Sequence, residues 1–195
     1  MSTAVEKIRA EIAECGVISF ARFMELALYC PVCGYYEKEN DTIGWRGDYY
    51  TSVSSGSLFG ELLAFQFSAW LEQLRMLNIG CGSDALKIVE AGAHDGKLAG
   101  DILTWLQLRQ PELAARLEYW IIEPSARRQQ SQHEILRSFS PRVRWANKLS
   151  AVGDCSAAKV RGVIFSNELL DAMPVHRLGW DAKRCEWFEW GDRRK

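Results

Sequence analysis

From Leu86 onward, strand-like and helical stretches alternate. "LKIVEAG" is followed by helical "KLAGDILTWLQLRQ", strand-like "LEYWIIEP" by helical "SARRQQSQHEILRSF", and "RVRWANKL" and "RGVIFSNELL" continue the series. Strands joined through helices pair in parallel, and a parallel sheet has to be covered on both faces. The alternation therefore predicts an α/β fold with a mostly parallel sheet. The tail, "VHRLGWDAKRCEWFEWGDRRK", reads instead as an antiparallel hairpin turning at "GWD", with Trp187, Phe188 and Trp190 needing cover.

Before the alternation the chain is helical. Thr3 and Glu6 form a capping-box pattern ahead of "VEKIRAEIAEC", Gly16 stops that helix, and Ser19 can cap "FARFMELALY". Ser57 can cap a third helix, "LFGELLAFQFSAWLEQLRML". Between them, "CPVCGYYEKENDTIGWRGDYYTSVSSG" has no helical period. A loop of that length in a compact domain is usually functional, which makes it a candidate lid or pocket wall. The resulting division is residues 1–83 as a helical and loop region and 84–195 as the sheet core. At 195 residues, one domain with a real core fits better than two independent folds.

A net charge of −1 lacks the basic footprint of a nucleic-acid binder. No apolar run reaches the roughly 20 residues of a membrane helix, and the acid-containing N-terminus is unlike a targeting peptide. Six cysteines are expected as thiols in a reducing, cytoplasmic setting. Only Cys30 and Cys33 have ligand spacing. Without a second pair no metal site is expected, and a thioredoxin-like motif should follow a strand and open a helix.

In open parallel sheets, ligands bind beyond the carboxyl ends of the strands. Three strand ends here carry polar groups. After the first, Glu90 precedes a turn with Gly92 and Gly96, where bare backbone lets a ligand approach and the next helix opens with free N–H groups. His94 stands where a dinucleotide motif has its middle glycine. Past the second strand, Glu123 can accept two hydrogen bonds from a ribose diol. Acidic Glu90 and Asp95 make the turn poor for a pyrophosphate but suit the sulfonium and ammonium of S-adenosylmethionine (SAM). At the third strand end stand Asn167, Glu168 and Asp171. There a carboxylate can orient a guanidinium acceptor and take its proton.

These stretches, with "ISFARFMELALYCPVCGYY" and "GDYYTSVSSGSLFGELLAFQ", resemble the MidA-type (DUF185) SAM-dependent methyltransferases in nearly end-to-end order. The resemblance implies a class I, Rossmann-like methyltransferase sheet. The family includes a mitochondrial assembly factor for respiratory complex I that is a protein arginine methyltransferase. Glu90, Gly92 and Gly96 match its cofactor glycine motif, Glu123 its ribose acid, and Asn167 and Glu168 its acceptor-side motif. Gly47 and Asp48, in "GDYYTS", match a loop of the pocket, and Asn147 falls on the adenine side. The sequence departs from the pattern at Ala93 and His94, where the family has glycine and often proline, and at "CPVC". Family chains are also longer, so the C-terminal part of the fold is expected to be missing and an exposed sheet edge to be covered, for example by a homodimer.

The function so implied is methyl transfer from SAM to a protein arginine or amine, on a protein substrate. The alternatives are a SAM-binding assembly or scaffold protein without turnover and a dinucleotide-dependent oxidoreductase.

Overall fold

Local signals account for most of the elements. In the computed structural model, which describes residues 3–37, 53, 56–77, 86–152 and 160–193, the helices are α1 (Ala4–Cys15), α2 (Phe20–Tyr29), α3 (Leu58–Met76), α4 (Lys97–Arg109), α5 (Pro111–Ala115) and α6 (Ala126–Ile135). The strands are β1 (Val17–Ser19), β2 (Leu86–Ala91), β3 (Leu117–Ile122), β4 (Val143–Ala146), β5 (Gly162–Ser166), β6 (Leu178–Asp181), β7 (Glu186–Glu189) and β8 (Gly191–Arg193). The capping box of α1 is formed in both directions: Thr3 Oγ1 accepts from the Glu6 amide at 3.2 Å, and Glu6 Oε2 accepts from the Thr3 amide at 2.8 Å. Ser19 caps α2 through the Arg22 amide at 3.1 Å. Ser57 does not cap α3. Its backbone is already helical, and its hydroxyl donates to Glu61 Oε1 at 2.7 Å.

Two compact units emerge, residues 51–169 and residues 1–50 with 170–195. They are drawn by packing and cut across a division at residue 83, because α3 packs on α4 and β5 within the sheet unit.

In the sheet unit, β2, β3, β4 and β5 form one parallel sheet in the order β4-β3-β2-β5. The pleat sends alternate residues to opposite faces. One face, with Ile88, Tyr119 and Ile121, meets Leu71 of α3, Ile102 and Leu106 of α4 and Leu113 of α5. The opposite face carries a smaller cluster, Val89, Trp120, Ala146 and Val152. There Lys87 and Arg144 pair with Glu118 at 3.8 and 3.2 Å, and the Arg144 guanidinium lies 5.5 Å from the Trp120 ring. Among the described residues β5 pairs only with β2, and Ile164 on it is exposed.

In the other unit, Ile12, Ile18 and Leu26 form the core, and Arg22 joins the two helices through Glu11 at 2.7 Å. β1 pairs antiparallel with β8, a pairing with no local sequence signal. The β6–β7 hairpin forms, but its turn is Ala182–Cys185 and "GWD" lies in β6. The Asp181 carboxylate fixes that turn by accepting from the Lys183 and Arg184 amides at 2.9 and 3.2 Å.

Candidate functional site

From β2 the chain steps to β3 and β4 on one side, then returns to β5 on the other. The strand order therefore reverses between β2 and β5, the place where an open parallel sheet leaves a crevice beyond its strand ends. The tips of all four strands lie within the sheet unit.

Past β2 the backbone turns sharply. Gly92, His94 and Gly96 have φ of 75°, 48° and 90°. The two glycines take the left-handed region without a side-chain penalty, and neither could be replaced freely. A Cβ on Gly92 would lie 2.7 Å from Leu169 Cδ1, and one on Gly96 would lie 3.3 Å from Leu136 Cδ1. The turn closes through the Gly96 amide to the Ala93 carbonyl at 2.7 Å, and Asp95 Oδ1 accepts from the Lys97 amide at 2.9 Å. Burial pushes the Asp95 carboxyl up, but hydrogen bonds from His94 and the Lys97 amide outweigh it and hold the pKa below its usual value.

Glu90 lies beneath this turn, 1% exposed, and its Oε2 accepts from the Tyr119 hydroxyl at 2.7 Å. Burial pushes its carboxyl up to about 7, against the Tyr119 hydrogen bond, and the Asp95 charge adds to the rise. Burial and the neighbouring Glu90 raise Tyr119 well above the ordinary phenol value.

At the β3 tip, Glu123 is 4% exposed. Its Oε1 accepts from the Ser125 amide at 2.9 Å, and its Oε2 from Gln132 Nε2 at 3.4 Å. Gln132, 0% exposed, also donates to the His94 carbonyl at 2.8 Å and accepts from Trp145 Nε1 at 2.8 Å. One amide thus ties the glycine turn, the β3 tip and β4 together. Gln129 Nε2 bonds the Glu123 carbonyl at 2.6 Å and Asn147 Oδ1 at 3.0 Å, which brings exposed Asn147, past β4, into the same network.

Asn167 and Glu168 follow β5 directly. Glu168 has φ of 48°. A non-glycine residue held in that region costs energy, and such residues concentrate at functional sites. Asp171 lies in a 3-10 turn, Leu170–Ala172, that belongs to the other unit. Gly47 and Asp48 lie outside the described residues. The structure therefore gathers Glu90, Gly92, Gly96, Glu123 and Asn147 around the strand tips, with Asn167 and Glu168 at the end of β5.

Tyr119 and Gln132 are parts of this region that the sequence reading did not pick out. Both had a signal. Tyr119 shares a strand face with Ile121, so its hydroxyl needed a buried partner. Gln132 stands four residues before Leu136, a polar side chain on the inward stripe of a helix.

An open parallel sheet with an acid-flanked glycine turn at its switch point defines a Rossmann-type ligand-binding protein. Residues 62–193 match the family model described as "Putative S-adenosyl-L-methionine-dependent methyltransferase", and the chain belongs to that family. It is 29% identical, over 90% of its length and 45% of the relative's, to protein arginine methyltransferase NDUFAF7, mitochondrial, of Danio rerio. The Homo sapiens protein of that name is 37% identical over 48% of this chain and 20% of its own. A crystal structure from Burkholderia thailandensis with S-adenosyl-homocysteine bound superposes with a TM-score of 0.74 at 33% identity, covering 98% of this chain and 46% of that one. The chain spans less than half the length of these relatives.

The expectation of a cytoplasmic protein is corrected by these relatives, which are named mitochondrial in fish, fly and human. Composition and cysteine content carry no address; targeting segments do. No helix among the described residues is long and apolar enough to cross a membrane.

Proposed function

We propose that this chain binds SAM at the strand tips of its sheet and takes part in methyl transfer to an arginine of a protein substrate. The observation that carries this reading is the Gly92–Gly96 turn, set at the switch point between Glu90 and Glu123 in a chain of the methyltransferase family. The protein-arginine acceptor rests on the names of the relatives.

The residues suit the cofactor. Bare backbone at Gly92 and Gly96 admits a ligand against the main chain. Glu123 offers a carboxylate at the β3 tip to the ribose hydroxyls. The acids around the turn disfavour a pyrophosphate, which supports SAM over a dinucleotide. When bound, SAM supplies an activated methyl group on a sulfonium.

In this reading Glu90 braces the turn from below through Tyr119, and Asn147 borders the adenine. Asn167 and Glu168 orient the acceptor guanidinium, and Glu168 accepts the proton it loses.

Calorimetric titration with SAM, NADH serving as control, tests the binding. Mass spectrometry of an arginine-containing protein acceptor tests the transfer. Saturable SAM binding and a methylated arginine are expected. A folded sample that binds NADH but not SAM would overturn the reading, and SAM binding without methylated product would turn it into the scaffold alternative.

A further inference from the structure

The turn after α2, Cys30-Pro31-Val32-Cys33, takes no part in the strand-tip site. Pro31 follows the last helical residues, and the Cys33 and Gly34 amides both donate to the Cys30 carbonyl, at 3.1 and 2.8 Å. A turn closed this way holds the first and fourth Cα atoms within about 7 Å, which is inside the span a disulfide can bridge. The sulfurs already face each other at 3.0 Å. Lys7, reaching across from α1, places its Nζ 3.0 Å from Cys30 Sγ. Cys30 is 5% exposed and Cys33 is the more open of the two. A groove of about 480 Å³ lined by Lys7, Arg22, Tyr29, Cys30 and Pro31 runs alongside. Among the described residues no group of three or more His, Cys, Asp or Glu is arranged to hold a metal ion.

We propose that Cys30 and Cys33 form a redox-active dithiol, held ready by Lys7, that exchanges with low-molecular-weight disulfides and closes into an intramolecular disulfide. The hydrogen bond from Cys33 and then the ammonium of Lys7 lower the Cys30 thiol to about 6, so at neutral pH it is present as thiolate. Cys33, the open sulfur, passes its proton to the Cys30 thiolate 3.0 Å away and attacks one sulfur of the small disulfide RS–SR. The S–S bond breaks and the first thiolate leaves with that proton. The Cys30 thiolate then attacks the Cys33 sulfur, the mixed disulfide breaks, and the second thiolate leaves and is protonated by water. Two protein sulfurs are oxidised, and RS–SR is reduced to two thiols. Oxidation consumes the anion that Lys7 holds, so the tie between α1 and the turn depends on redox state. The proposal is independent of the methyl-transfer reading.

The test is incubation of the whole chain with oxidised and reduced glutathione at neutral pH, followed by acid quench, alkylation and peptide mapping by mass spectrometry. A Cys30–Cys33 linked peptide is expected, while Cys15 and Cys185, exposed elsewhere, carry at most glutathione. Cys30→Ser should trap glutathione on Cys33, and Lys7→Met should move the thiolate absorbance of Cys30 to higher pH. Cys30 and Cys33 remaining reduced while Cys15 and Cys185 acquire glutathione would overturn the proposal. So would an unchanged thiolate titration in Lys7→Met, or no adduct on Cys33 in Cys30→Ser.

Discussion

The tips of β2 and β3 each present a buried glutamate, and the two are held in opposite ways. Glu90 meets one hydroxyl, that of Tyr119, in a site closed to water, and its carboxyl is lifted to about 7. Glu123, also buried, meets N–H donors from Ser125 and Gln132 at the β3 tip. A hydroxyl can stay with a neutral acid, and burial is what lifts Glu90. One residue type at neighbouring strand ends is thus tied to a single hydroxyl in one place and to N–H donors in the other.

The largest break in this contrast should come from Gln132→Leu. It strips partners from the His94 carbonyl, Trp145 Nε1 and Glu123 Oε2 at once. Leaving such groups buried without partners costs about 2–4 kcal/mol. Urea unfolding should show a lower midpoint with an unchanged slope, and a midpoint equal to the parent's would mean that the network carries no stability.

Next in size is Glu123→Ala. On the SAM reading it weakens cofactor binding by about 1–3 kcal/mol, or roughly 5- to 150-fold in Kd, through lost hydrogen bonds to a charged acceptor. Calorimetry measures this directly. An unchanged Kd would remove the ribose assignment while leaving the fold untouched.

The smallest change is Glu90→Gln, which sharpens the comparison through pH. The folded pKa lies above the ordinary 4.5, so between about 4.5 and 7 the folded protein binds more protons than the unfolded chain. The contribution of Glu90 is therefore fully present below 4.5 and is lost as pH rises through 7. Stability curves of the parent should fall across that window and those of Glu90→Gln should be flatter. Parallel curves would show that Glu90 does not titrate there.

Much of the frame was readable before any coordinates. The Thr3–Glu6 box and the Ser19 cap lie within three residues of their partners, and the alternation after Leu86 is a property of neighbouring side chains. Such signals survive without tertiary context. The strand-end placement of Glu90, Gly92, Gly96 and Glu123 was legible for a related reason, since polar groups and glycines stand out at the ends of apolar strands. Ser57 misled because a serine beside a helix can serve its own first turn, through Glu61, as easily as cap it. The hairpin turn misled because "GWD" holds a glycine, while the Asp181 carboxylate closes the turn that follows it.

Taken alone, the sequence determined where the helices begin, that the sheet is parallel and which strand ends carry acid and glycine. These depend on hydrogen bonds and periodicities spanning a few residues. Only the tertiary structure decided that Glu90 faces Tyr119, that Gln132 joins three elements and that β1 finds β8 far along the chain. Burial sets the charge of an acid and completes the bonding of an amide, and burial exists only once distant segments have packed together.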